Sequence, residues 1–149
     1  MTSTNNKKFT YITSIQRPLN DVFDFYSDPK NINKLTPWFA KVKAIPEKKL
    51  TPNAVFVIEI NVFFVLKNKW KISIRNYEQN KIFTDIQLEG PFTIWEHTHI
   101  FEYHNNATVM TDNIIYKSKI PFFDKLNIFK YIFALVFYYR KRRILSIFK

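Results

Sequence analysis

The stretch "GPFTIWEHTHIFEY", Gly90 to Tyr103, alternates the character of its side chains along most of its length. Successive residues of an extended strand point to opposite faces. One face therefore carries Trp95, His97, His99, Phe101 and Tyr103, and the other Ile94, Glu96, Thr98, Ile100 and Glu102. Two glutamates mark the second face as the outer one. The first face, with its rings and two of the chain's three histidines, is expected to be concave. Gly90, the only glycine, is followed by Pro91, and the two read as the corner that starts the strand.

The same alternation runs outward in both directions. "IFTDIQLEG" predicts the preceding strand, with Phe83, Asp85 and Gln87 on the histidine face. After the turn "NNA", "TVMTDNIIY" predicts the next, with Met110, Asp112, Ile114 and Tyr116 on that face. "KNKWKISIRNY" sets Trp70, Ile72 and Ile74 against Lys69, Lys71, Ser73 and Arg75. "AVFVIEINVFFVL" predicts one more strand, bent near Asn61, and "WFAKVKAI" and "KFTYITSI" add two. Between the last two the period changes. Leu19, Val22, Phe23 and Tyr26 fall at helical spacing between Pro18 and Pro29, and Asp28 caps a second short helix reaching Leu35. Residues 122–148 predict one long helix.

This order predicts an α+β fold: a curved antiparallel sheet of six to seven strands around a long C-terminal helix, with two short helices after the first strand. The 149 residues suit a single domain, 1–149, with room for one core or an internal cavity. Rings make up 18% of the chain, more than a small core needs, which points to an aromatic-lined interior. With no cysteine, disulfides, zinc-thiolate sites and thiol nucleophiles are excluded. The N-terminus "MTSTNNKKF" has no apolar signal core, so a cytoplasmic location is expected. The net charge of +11 is spread over most of the chain and predicts no specific nucleic-acid partner.

The central block "FTDIQLEGPFTIWEHTHIFEYHNNATVMTDNIIY" resembles one branch of the SRPBCC superfamily, the START-like, helix-grip group that includes polyketide cyclase/dehydrase folds. That branch reads F-x-D-x-Q, G-P-F, W-x-H-x-H-x-F and T-x-x-x-D-x-x-x-Y. Here Phe83, Asp85, Gln87, Gly90, Pro91, Phe92, Trp95, His97, His99, Phe101, Thr108, Asp112 and Tyr116 meet the pattern. "VFDFYSDPKNINKLTP" is similar to the first helical pair of the group. The loop "LTPNAVF" departs from it, having no glycine before the third strand. The resemblance implies a hydrophobic cavity between sheet and C-terminal helix, and no single reaction.

The expected function is binding of a hydrophobic or lipid-like small molecule in that cavity, as a carrier or sensor. Its expected ligand-binding residues are Trp70, Asp85, Gln87, Trp95, His97, His99, Phe101, Asp112 and Tyr116, mostly apolar walls with a few convergent polar groups. The alternative is a cyclase, dehydratase or hydrolase in which a histidine, oriented by Asp85 or Asp112, acts as general acid or base. No Ser-His-Asp order and no Gly-rich phosphate loop stands out, so no catalytic residue and no cofactor are assigned. His97 and His99 could chelate an ion with Asp85 or Asp112, but a site needs three convergent ligands and none is predicted.

"YIFALVFYY", Tyr131 to Tyr139, is apolar all round yet too short for a membrane span of roughly 20 residues. It suits a helix gripped by a sheet, with surplus rings left for a homodimer interface or a membrane surface. Arg140, Lys141, Arg142 and Arg143 beside it complement the helix dipole or dock transiently on anionic lipid.

Overall fold

The computed structural model describes residues 5–43, 46, 48–63 and 65–149. Seven antiparallel strands form one curled sheet in the order β1-β7-β6-β5-β4-β3-β2. They are β1 (Lys7–Ile15), β2 (Ala40–Lys43), β3 (Val55–Val62), β4 (Leu66–Glu78), β5 (Ile82–Glu89), β6 (Phe92–His104) and β7 (Ala107–Ser118). After β1 the chain forms α1 (Leu19–Tyr26) and a 3-10 helix (Pro29–Lys34), whose N-cap Asp28 accepts from Lys30 N at 3.0 Å. The C-terminal helix closes the concave side, giving the α+β architecture that the alternation predicts.

Two elements differ from the expectation. The stretch "AVFVIEINVFFVL" is not one bent strand. It turns back after Val62, with Phe63 at φ 50°, and Leu66 opens β4 opposite Val62. The C-terminal segment is not one helix either. It divides into α2 (Pro121–Lys125) and α3 (Ile128–Ile147), with Asn127 at φ 53° between them. Asparagine tolerates the left-handed region that breaks a helix. The Asp124 carboxylate accepts from Ser118 N at 2.9 Å and ties α2 to the end of β7. The expected strand "WFAKVKAI" is realised as β2, and residues 44 and 45 lie outside the described residues.

With a single glycine, the chain takes most of its described left-handed positions with asparagine: Asn53, Asn76, Asn80, Asn105, Asn106 and Asn127 all have positive φ, as does Phe63. Asn53 sits in the "LTPNAVF" loop and supplies there the conformation that glycine otherwise provides.

α3 presents Phe129, Phe133, Phe137 and Ile144 to the sheet at helical spacing, and Tyr131, Leu135 and Tyr138 to the outside. Its inner stripe divides the interior. At the N-terminal half, Phe92, Trp95, Tyr116, Phe129 and Phe133 pack edge to face. At the C-terminal end, Ile144 joins Val22, Phe23, Ile74, Phe101 and Met110 in a closed core, and Phe83 of the same cluster also borders the cavity. The space between these two clusters is the cavity. Among the described residues no helix is long and apolar enough to cross a membrane.

Candidate functional site

Strand register brings the polar residues together. His99 lies opposite Phe83 of β5 on one side and Asp112 of β7 on the other, and His97 lies between Asp85 and Ile114. Side chains on one face also reach their diagonal neighbours across strands. His97 Nε2 thus meets Asp112 Oδ1 at 2.8 Å, and His99 Nε2 meets Asp85 Oδ2 at 3.3 Å. His99 Nδ1 is 3.0 Å from Asp112 Oδ1 as an ion-pair contact, without a hydrogen bond. The two imidazole rings lie 3.9 Å apart. Two histidines and two aspartates form one connected network, buried except for a partly open Asp85.

Protons in this network are divided unequally. Burial opposes a charge on His99, but the close Asp112 and Asp85 carboxylates outweigh it and push its pKa up to about 9. Burial and the charge of His99 push His97 the other way, against the pull of Asp112. Burial also disfavours the Asp112 carboxylate, yet the two imidazoles prevail and hold it well below the usual range. At neutral pH His99 is the cation and His97 is neutral. An ionised Asp112 only accepts, so His97 donates through Nε2 and keeps Nδ1 as an acceptor.

Asp85, His97 and His99 also offer ligand atoms within 4.8 Å of one another, the spacing a metal ion needs. Of the histidine nitrogens, His97 Nε2 is held by Asp112 and His99 Nε2 by Asp85, so an ion at either atom would displace that contact.

The network forms the polar end of a cavity of about 520 Å³, a volume typical of small-molecule sites. Trp70, Asp85, Trp95, His97 and His99 line it. The other four residues expected at the ligand lie elsewhere. Asp112 is behind the histidines, Phe101 is in the closed core, and Tyr116 is packed under Phe133 and Phe92. Gln87 spans the corner before β6, donating to Phe92 O at 2.8 Å and accepting from Phe92 N at 3.3 Å. This explains Gly90, where an added Cβ would stand 2.4 Å from Gln87 Oε1.

Sequence reasoning missed much of the wall. Phe56, Ile58, Ile60 and Val62 alternate along β3 and all face the cavity, a pattern the sequence displays. Leu35, Val42 and Leu50 come from short or irregular segments with no readable period. Tyr26 and Arg140 are polar lining residues that went unrecognised. Arg140 turns inward over the Phe137 ring, 5.3 Å from its centroid, whereas Arg142 and Arg143 are exposed. Burial, then the negative charge of Asp112, push the Tyr26 phenol up, and the Arg140 charge pulls it down, so Tyr26 stays protonated.

No family model and no curated protein matches the chain. Solved structures do. Protein Ms6760 from Mycobacterium smegmatis superposes with a TM-score of 0.72 at 12% identity, covering 98% of this chain and 96% of that one. A START superfamily protein from the same organism matches with a TM-score of 0.68 at 9% identity, covering 95% and 96%. The fold is START-like. DynU16, a putative protein in the dynemicin biosynthetic locus, matches with a TM-score of 0.62 at 17% identity, covering 93% of this chain and 47% of that one. At these identities the likeness shows the START-like, helix-grip architecture alone.

Proposed function

We propose that the protein binds a hydrophobic small molecule in the cavity between sheet and α3, as a carrier or sensor. One observation carries the reading: a cavity of about 520 Å³ is walled mostly by aliphatic and aromatic side chains, with a few polar groups, Asp85, His97 and His99 among them. Burying a ten-carbon chain there gains about 8 kcal/mol before the costs of association. The His97–Asp112 and His99–Asp85 hydrogen bonds hold the His97–His99–Asp85–Asp112 network in place, so it supplies a fixed polar end. Leu66 and Ile132 line the cavity yet are largely exposed, so they mark its rim.

Native mass spectrometry of the protein as purified tests this. The expected spectrum contains a complex with a small hydrophobic molecule, diminished in the Ile58→Trp variant, whose indole intrudes on the cavity. A wild-type spectrum showing only the bare chain, together with no uptake of added decanol, would refute the proposal.

A further inference from the structure

Arg140 is the unexplained charge of the cavity. Among the described residues its guanidinium makes no hydrogen bond and no ion pair, and its Nε is buried without a partner. Burying a donor with nothing to accept from it costs free energy, more so for a charged group. Its stacking on Phe137 offsets part of this cost but satisfies no N–H. The other charged groups of the cavity are already engaged. Asp85 is held by His99, His99 also by Asp112, and Asp28 by the backbone of the 3-10 helix that it caps. The Tyr26 hydroxyl lies within the field of Arg140, and its ring is 6.3 Å from that of His99. An orphan cation and a phenol donor thus stand at the end of the cavity that holds the histidines.

We infer that the ligand is a hydrophobic monocarboxylate, its carboxylate paired with Arg140 and hydrogen-bonded by Tyr26, its tail along the wall of Ile58, Ile72 and Trp70. The inference rests on the proposed binding function and adds the ligand's head group. A guanidinium presents parallel N–H donors that match the two oxygens of a carboxylate. Charge counting selects a monoanion. Arg140 supplies one unpaired positive charge, and a phosphate dianion would leave negative charge uncompensated near Asp28 and Asp85.

The test compares decanoate, decanol and decyl phosphate near neutral pH by NMR titration of the wild type, Arg140→Met and Arg140→Lys. The expected order for the wild type is decanoate tightest, by about 10- to 100-fold over decanol. Arg140→Met keeps the apolar stem and should erase that preference. Arg140→Lys should restore part of it. Equal wild-type affinity for decanoate and decanol overturns the inference and leaves the cavity reading standing, as does an undiminished preference in Arg140→Met. Tightest binding of decyl phosphate overturns the choice of carboxylate. Failure of all three probes to bind overturns both the inference and the function on which it rests.

Discussion

At the scale of single residues, the histidine pair carries a definite pH signature. His99 has a folded pKa of about 9 against an ordinary 6.5, so its contribution to stability is whole below about 6.5 and is lost as pH rises through 9. His97 is pushed down, so the unfolded chain takes up a proton that the folded chain refuses, and stability falls as pH drops below 6.5. Asp112 acts in the same direction, its contribution present above the ordinary carboxylate range and lost in acid. Nitrogen-15 NMR of the imidazoles at neutral pH should show a doubly protonated His99 and a neutral His97 protonated at Nε2. In His99→Gln, the decline in melting temperature from pH 6.5 to 9 should flatten. A neutral His99 at neutral pH would refute the assignment. The corner at Gly90 gives a second residue-scale expectation. Gly90→Ala and Gln87→Ala should each cost about 1–2 kcal/mol by breaking the amide clamp on Phe92, and the double variant little more than either alone. Additive losses on chemical denaturation would show that the two residues act separately.

At the scale of elements, the strands around the histidines were legible because one face is apolar and the other charged, so period and direction could both be read. Two joints were not legible, for a physical reason. The β3–β4 turn runs through Phe63 in a left-handed conformation, with no glycine, proline or asparagine to mark it. The α2–α3 break rests on Asn127, with neither glycine nor proline beside it to mark a stop. Asn127→Ala should cost about 1 kcal/mol, because alanine resists positive φ, whereas Asn127→Gly should stay within about 0.5 kcal/mol of the wild type. Thermal melts of the two variants check this; equal losses would mean that the side chain of Asn127, not its backbone, holds the joint. The all-round apolar character of α3 also hid which side faces the sheet. Arg140 was therefore grouped with its surface neighbours rather than placed in the cavity.

At the scale of the whole molecule, the sequence displayed the curved α+β architecture and the polar cluster but only part of the cavity. Trp70, Asp85, Trp95, His97 and His99 were readable from alternation as wall residues. Gln87, Phe101, Asp112 and Tyr116 share their face, but sharing a face does not tell whether a residue meets the cavity, the core or a neighbouring turn. That is settled by where α3 crosses the sheet. Phe129, Phe133 and Phe137 of α3 pack into one cluster and Ile144 into the other, and the cavity opens along the same helix face. The central claim is that this cavity takes up a hydrophobic molecule. The most direct measurement is a calorimetric titration of decanol into the wild type and into Ile58→Trp. Saturable one-to-one binding with a negative heat-capacity change, weakened by the intruding indole, is the predicted result. Absence of saturable binding to the wild type, or equal binding to both proteins, would contradict it.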